Sequence, residues 1–279
     1  MFYLTPLNLN PLISALEQGS DSIFISPDLS ISQITLPLQK NFVELGGKRY
    51  SLEEMRKLAK KLNGILLIEQ GREEPLEFFA GRYYKLRPTE SAPTIEIDGI
   101  QMHRTKEINP WEDSRRKAFY VVRPRDMVLD TCGGLGYTAI WAAMLGARKV
   151  ISCEKDTNVL RLREKNPWSN PIKQNRIEEV CCDIYYQVRE YPARFFHTII
   201  HDPPRFALAG ELYGQEFYYQ LNRILKVNGR LFHYTGDPYS QGRGRKFIPG
   251  IISRLQQAGF KSTSHPEDLG LEAVKIKNI

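Results

Sequence analysis

The sequence lacks any apolar run that approaches the roughly 20 residues needed to span a bilayer. Its first residues also lack the basic region, apolar core and small-residue cleavage site of a secretory signal. We therefore expect a cytoplasmic protein with no membrane partner. With 42% hydrophobic and 25% charged residues and a mean hydropathy of −0.40, the composition is that of an ordinary globular protein.

Cysteine is scarce, with four in 279 residues. No two cysteines have the CxxC spacing, and no histidine accompanies them at the spacing of a zinc site. This pattern argues against a disulfide framework and a structural metal. We expect reduced thiols and no metal ligands.

Basic charge is in excess only in the second part of the chain. Residues 1–110 contain 13 Lys and Arg against 14 Asp and Glu, whereas the remainder contains 26 against 18. Such an excess suits a phosphate-bearing partner such as RNA, and so does the aromatic and basic segment RYYKLR at 82–87. Solvated basic faces and half-exposed strands have the same composition, so both interpretations stay open.

The pattern along the chain changes near residue 105. The first part contains mostly short strand-like segments and one helix, which begins at the capping box Ser51-Leu-Glu-Glu54. The second part alternates strands with helices, which predicts a mostly parallel sheet covered by helices on both faces. We predict a smaller β-rich domain at 1–105, with a role in substrate selection, and an α/β domain at 106–279 that binds a cofactor.

The segment MVLDTCGGLGYTAIWAA resembles a strand, a glycine-rich turn and a helix in succession. Its strand ends at Asp130, and Gly133, Gly134 and Gly136 follow. Glycines at this place let backbone amides approach a ligand closely. The glycine pattern alone is also typical of dinucleotide-binding proteins.

Acidic residues stand at the ends of the next two predicted strands. Glu154 lies at the carboxyl end of the strand in ISCEKD, where a carboxylate can accept hydrogen bonds from ribose hydroxyls. Asp183 ends EEVCCD, where a carboxylate can accept from the exocyclic amine of adenine. The fourth strand runs into IIHDPPRF, in which Asp202 follows the last residues of the strand. The carboxyl ends of parallel strands are where open α/β sheets bind ligands, so these groups predict one site.

These landmarks resemble those of the class I S-adenosylmethionine-dependent methyltransferases over about residues 110–279. The set DTCGGLGYTAIWAA, EKNPWSN, IIHDPPRFALAGELY and GRLFHYTGDP is more narrowly similar to a family of predicted methyltransferases of archaea and some bacteria with an HDPPRF motif. The resemblance implies a Rossmann-like sheet of seven strands whose antiparallel last strand is formed by residues near Glu272 to Lys277. It also implies S-adenosyl-L-methionine as the cofactor. Its methionine moiety and adenosine would contact Asp130, Gly133, Gly134 and Gly136, its ribose Glu154, and its adenine Asp183.

The tetrad Asp202-Pro203-Pro204-Arg205 resembles the (Asn/Asp)-Pro-Pro-aromatic motif of enzymes that methylate exocyclic or amide nitrogens. In those enzymes the polar side chain and a prolyl carbonyl accept hydrogen bonds from the acceptor amine, and the aromatic ring stacks on the planar substrate. Rigid prolines suit this role because alignment governs an in-line displacement. Here Arg205 replaces the aromatic. Either Phe206 takes over the stacking, or Arg205 stacks, or Arg205 binds a carboxylate or phosphate.

Three further residues are candidates for substrate contact. His201 and His233 end neighbouring strands, and either a general base or a strand-end histidine bonded to the backbone fits them. Tyr213 follows a flexible Gly210 and can close over the substrate. The loop Ser240-Gln-Gly-Arg-Gly-Arg-Lys246 combines flexibility with positive charge, as a phosphate-contacting loop or a solvated loop would.

Three functions are compatible with these features. The first is methyl transfer to a nitrogen of an RNA base or another planar amine, with protein and small-molecule acceptors left open. The second is aminopropyl transfer, because spermidine and spermine synthases resemble this layout, although their Gly-Gly-Gly-Asp-Gly loop is absent here. The third is a non-catalytic binding module that keeps the cofactor fold.

Overall fold

The computed structural model describes residues 1–236 and 244–279, with the side chains of 244 and 245 left aside. The described chain forms two compact units. The first comprises Met1–Trp111 with Arg161–Asn170, and the second Glu112–Leu160 with Pro171–Ile279. A division into folding domains at residue 105 stays a prediction. Most of the loop predicted at 240–246 lies outside the described residues.

The first unit consists of three small antiparallel sheets and two helices. One sheet has the order β1-β6-β7, the second β2-β3-β4-β5 and the third β11-β10-β9-β8. The elements are β1 (Phe2–Leu4), α1 (Pro6–Glu17), β2 (Ser22–Ile25), β3 (Ile34–Gln39), β4 (Phe42–Leu45), β5 (Lys48–Ser51), α2 (Leu52–Ala59), β6 (Leu66–Glu69), β7 (Arg72–Pro75), β8 (Glu77–Ala80), β9 (Arg82–Arg87), β10 (Thr94–Ile97) and β11 (Ile100–Gln101).

The expectation of a single helix in this part is wrong, because α1 is a second one. Its start carries a recognisable signal, Thr5 as the N-cap followed by proline at the first helical position. The Thr5 amide donates to Asn8 Oδ1 at 2.8 Å. Leu9, Leu12 and Leu16 then recur at helical spacing and are buried. Helix α2 begins at the predicted capping box, with Ser51 Oγ accepting from the amide of Glu54.

The segment RYYKLR forms β9 and does not present an alternating aromatic and basic surface. Tyr84 and Lys85 are buried, and Lys85 Nζ lies 3.1 Å from Glu77 Oε2. Arg82 pairs with Asp98 at the neighbouring turn. These contacts favour the half-exposed strand over a stacking surface for nucleic acid.

The second unit is an α/β fold around one seven-stranded sheet. Its elements are α3 (Pro110–Val121), β12 (Met127–Asp130), α4 (Tyr137–Met144), β13 (Lys149–Glu154), α5 (Thr157–Glu164), a 3-10 helix (Pro167–Lys173), β14 (Ile177–Cys181), α6 (Ile184–Gln187), β15 (Phe196–His201), a 3-10 helix (Gly210–Tyr213), α7 (Gln215–Ile224), β16 (Leu225–Tyr234), α8 (Gly244–Gln257), β17 (Phe260–His265) and β18 (Gly270–Lys275). Helices α3 and α5 and the first 3-10 helix each contribute a few residues to the first unit.

The sheet has the order β14-β13-β12-β15-β16-β18-β17. Strands β12 to β16 run parallel, and β18 is antiparallel to both of its neighbours, which confirms the predicted Rossmann-like sheet with an antiparallel last strand. From β12 the chain builds the sheet to one side, then returns to place β15 on the other. Ligands bind at such a switch point in open α/β sheets.

The core of the second unit is apolar and aromatic. Phe196 and Ile199 of β15 and Leu231 of β16 lie in one cluster with buried residues of two helices, Phe217 and Leu221 of α7, and Ile251 and Leu255 of α8. Burial of this surface stabilises the sheet and fixes the position of its carboxyl-terminal edge. The loops at that edge therefore project from a rigid support.

Candidate cofactor and acceptor site

The glycine-rich turn after β12 leaves backbone accessible at the switch point. Gly134 has φ of +51°, and apart from its chain neighbours no atom of the described residues lies within 4 Å of where its Cβ would be. Gly136 has φ of +86°, and a Cβ there would lie 2.5 Å from Ile172 Cδ1. Both positions therefore require glycine, the first because of its conformation and the second because of close packing as well. The turn leaves room beside Gly134 for a ligand.

Asp130 is fully buried and supports this turn from beneath. Its Oδ2 accepts from Thr138 Oγ1 at 3.1 Å and from Ser152 Oγ at 2.8 Å. These bonds join the end of β12 to the first turn of α4 and to β13. Direct contact of Asp130 with the cofactor stays a prediction, and the structure shows its carboxylate bonded to the side chains on either side of the turn.

Glu154, at the end of β13, is half-buried next to the glycine turn. Its Oε2 accepts from the amide of Gly134 at 2.9 Å, and its Oε1 accepts from the amide of Asp156 at 2.9 Å. Each carboxylate oxygen can accept a further hydrogen bond, so these contacts orient the group without exhausting it. The arrangement suits the predicted binding of ribose hydroxyls.

Asp183 combines a structural contact with exposure at the same edge. Its Oδ1 accepts from the amide of Tyr185 at 3.0 Å and caps α6. Lys155 Nζ donates to Asp183 Oδ2 at 3.3 Å, and the Asp183 side chain is 34% exposed. The carboxylate is thus held in place by the helix that it caps.

A buried lysine holds the carboxylate of Asp202. Lys117 of α3 has a 4% exposed side chain, and its Nζ lies 2.8 Å from Asp202 Oδ2 and 2.8 Å from Asp113 Oδ2. It also lies 4.2 Å from the centre of the Tyr234 ring. Burial lowers the pKa of Lys117, but the two carboxylates outweigh it and the pKa is raised. Burial raises the pKa of Asp202, and the positive charge of Lys117 offsets only part of this increase.

The sequence analysis missed Lys117. Asp113 and Lys117 are separated by four residues on a predicted helix, so their own pairing was readable from the sequence. Their contact with Asp202 was not, since 85 residues separate Lys117 from it.

Of the two prolines in the motif, Pro203 is buried and Pro204 is half-buried. Tyr213 is 2% exposed, and its hydroxyl donates to the carbonyl of Pro204 at 2.9 Å. Within the described ranges no donor bonds to the carbonyl of Pro203. Tyr213, predicted to close over the substrate, is thus buried and bonds the carbonyl of Pro204, whereas the carbonyl of Pro203 has no such donor.

Arg205 and Phe206 project outward from the same motif. Arg205 is exposed, and its guanidinium makes no hydrogen bond or ion pair with any residue in the described part of the chain. Phe206 is 52% exposed, and its ring lies edge-on to those of Tyr213 and Phe247, at 5.6 Å between centres in each case. Both side chains are available to a ligand.

The two histidines lie inside the fold and not at a cleft. Both are fully buried, with their ring centres 4.6 Å apart. His201 Nε2 faces the carbonyl of Leu212 and Nδ1 faces Thr131 Oγ1, at 3.1 and 2.8 Å. His233 Nδ1 faces the carbonyl of Tyr234 at 2.8 Å and Nε2 faces the hydroxyl of Tyr218 at 2.7 Å. Since protein groups engage all four nitrogens, the structure favours the strand-end role over that of a general base.

The burial of His233 predicts a loss of stability in acid. Desolvation lowers its pKa to about 4. In the unfolded state the pKa of His233 is about 6.5, so between pH 6.5 and pH 4 the unfolded state binds a proton that the folded state does not. The free energy of unfolding therefore falls as pH drops through this range. The contribution of His233 is about 3 kcal/mol. We expect the free energy of unfolding, measured with urea, to differ less between pH 7.5 and pH 4.5 for His233→Gln than for the wild type. Equal differences would contradict this.

The described residues show neither a bilayer-spanning helix nor a metal-binding cluster. No helix within 1–236 and 244–279 is long and apolar enough to cross a membrane. Over the same ranges no three His, Cys, Asp or Glu side chains converge as metal ligands would.

Comparison with models of known protein families gives no match. A search of individual proteins finds Uncharacterized protein MJ1233 of Methanocaldococcus jannaschii, 41% identical over 269 residues, with 94% of this chain and 93% of that protein covered. The chain belongs to the family of MJ1233. The matched length includes sequence from both units and not from the α/β fold alone.

The chain is also similar, at lower identity, to proteins named as aminopropyltransferases or spermidine synthases. Polyamine aminopropyltransferase 2 of Streptomyces coelicolor is 29% identical over 127 residues, which cover 43% of this chain and 22% of that protein. A spermidine synthase in complex with the transition-state analogue AdoDATO matches with a TM-score of 0.59 at 21% identity, over 73% of this chain and 74% of that one. Spermidine synthase from Thermotoga maritima matches with 0.57 at 16%, over 92% and 81%. The likeness at these identities is one of fold, and it agrees with the Rossmann-like sheet described above.

Proposed function

We propose that the protein is an S-adenosylmethionine-dependent methyltransferase that modifies a nitrogen of a planar amine, with an RNA base as the first acceptor class to test. The observation that carries the proposal is the Asp202 carboxylate, fixed by Lys117 through one oxygen at the sheet edge where the glycine turn, Glu154 and Asp183 also lie. A carboxylate held in this way can orient an acceptor without further rearrangement.

The residues at the switch point fit the proposed cofactor. The open space at Gly134 admits a ligand against the backbone, and Glu154 keeps lone pairs for ribose hydroxyls. Asp183 presents a partly exposed carboxylate for the adenine amine. S-adenosyl-L-methionine, when bound, supplies a methyl group activated by a sulfonium.

Asp202 and Pro203 would orient the acceptor. Lys117 Nζ bonds Asp202 Oδ2, so Oδ1 and the carbonyl of Pro203 can each accept an N–H from the acceptor nitrogen. That geometry fixes the direction of the nitrogen lone pair. The proton that the nitrogen loses after transfer can pass to Asp202, whose pKa burial raises. No stronger base is needed.

Aminopropyl transfer is the second candidate, and the similarity to Polyamine aminopropyltransferase 2 favours it. A polyamine acceptor is cationic and requires carboxylates to bind it. Here Lys117 partly neutralises Asp202, and the exposed Arg205 stands three residues further on. These two cations favour a neutral or anionic acceptor, which is why methyl transfer comes first.

The test is calorimetric titration with S-adenosylmethionine and with its decarboxylated form, followed by transfer of label to RNA, protein and metabolite fractions. We expect S-adenosylmethionine to bind more tightly and label to enter RNA. Preferential binding of the decarboxylated form with label in polyamines would establish aminopropyl transfer. Binding without any transfer would indicate the non-catalytic module.

A further inference from the structure

An open cavity of about 490 Å³ lies beside the motif at the end of β15, within the second unit. Its lining consists of Phe206, Gly210, Tyr213, Gly214, Lys246, Phe247 and Arg254. This volume falls in the range of small-molecule sites. Tyr213 connects the cavity to the motif, because it is one of the lining residues and its hydroxyl donates to the carbonyl of Pro204. A molecule in the cavity would therefore lie next to the proposed acceptor-binding residues.

The charge of the cavity is of one sign. Lys246 and Arg254 are cationic, and no carboxylate is among the described residues that line it. Lys246 is exposed and has no hydrogen bond or ion pair to a described residue. Arg254 keeps a fixed position, since its Nε donates to the carbonyl of Tyr213 at 3.0 Å. Arg205, also exposed, immediately precedes Phe206 of the lining.

The apolar part of the cavity is aromatic. Phe206 and Phe247 lie edge-on to each other at 5.6 Å between ring centres, and Tyr213 lies 5.9 Å from Phe247. Such rings offer a surface for a flat group. The 52% exposure of Phe206 leaves part of its ring open to contact.

We propose that this cavity receives the acceptor, and that the acceptor carries an oxyanion, either a phosphate or a carboxylate, beside a flat apolar group. The inference rests on the proposed function in taking this cavity as the acceptor side of the site. Lys246 and Arg205 would bind the oxyanion, with Arg205 suited to a bidentate contact. Phe206 would contact the flat group. This assigns a role to the arginine that replaces the aromatic of the amine-methylase motif.

Binding of three matched probes to the full chain, measured by ligand-observed NMR without cofactor, tests this. Phenyl phosphate, benzoate and benzylamine share a ring and differ in charge. We expect the two anions to bind and benzylamine to bind more weakly, and the order of the anions identifies phosphate or carboxylate as the source. No anion binding, or tighter binding of benzylamine, would overturn the inference.

Substitutions of residues at the cavity test whether the probes bind there. We expect Lys246→Gln and Arg205→Gln each to weaken phenyl phosphate binding about fivefold. Phe206→Ala should weaken phenyl phosphate but not inorganic phosphate. The control is Lys261→Gln, an exposed lysine of β17 outside the cavity, which should change nothing. Equal affinity in all four variants would overturn the proposal. Because probe binding needs no cofactor, its failure is distinct from failure of methyl transfer.

Discussion

Asp202→Ala is expected to lower the rate of transfer by about a hundredfold or more while S-adenosylmethionine still binds. The variant removes the carboxylate that would orient the acceptor nitrogen. It leaves the pair of Lys117 and Asp113 intact, so no unpaired ammonium is created in the interior. Single-turnover transfer of labelled methyl measures the rate, and calorimetry measures cofactor affinity. A variant as active as the wild type would refute the role assigned to Asp202.

Asp202→Asn distinguishes two ways in which the residue could act. An amide oxygen still accepts a hydrogen bond from a neutral amine but cannot take a proton from an ammonium. For methyl transfer to a planar amine, we expect this variant to be clearly more active than Asp202→Ala. Equal inactivity of the two variants would mean that proton acceptance by Asp202, and not its hydrogen bond alone, is required for transfer. Glu216→Ala, an exposed change on α7, serves as the control.

The sequence predicted the α/β sheet and its strand ends because those signals are local. Each landmark, from the glycine turn to Asp183, lies in a short segment in which an apolar strand stops at a polar or small residue. The parallel order of the strands then brings the segments together without any knowledge of side-chain contacts. The first helix, α1, was missed although its start at Thr5 and Pro6 was also local.

The sequence did not allow us to predict which way the side chains at the end of β15 point. His201 and Asp202 are consecutive at the end of β15, and strand geometry sends successive side chains to opposite faces. Which face is the core depends on α7, whose Phe217 packs on His201 at 5.3 Å between ring centres. The contact of Lys117 with Asp202 likewise depends on how α3 lies against the sheet. Such contacts are tertiary and leave no periodic signal.

Lys117→Met is expected to cause a large loss in the free energy of unfolding. The substitution leaves Asp113 and Asp202 as neighbouring carboxylates without their shared cation, and Asp113 is 1% exposed. Breaking a buried ion pair in this way costs about 3 kcal/mol. Burial already raises the pKa of Asp202, and loss of the Lys117 charge should raise it further, so the folded variant binds a proton that the unfolded chain does not. The deficit should therefore shrink as pH falls toward the ordinary carboxylate pKa of about 4.

Urea unfolding of Lys117→Met at pH 7 and pH 5, compared with the wild type, measures this deficit. The matched control is Lys57→Met in α2, which removes a lysine four residues after its partner Glu53 at an exposed pair and should change stability little. Adding Asp113→Asn to Lys117→Met removes one of the two repelling charges and should recover part of the loss. If Lys117→Met unfolds at the wild-type urea concentration at pH 7, Lys117 does not hold the two carboxylates together. In that case the fixed orientation of Asp202, on which the proposed acceptor geometry depends, has another origin.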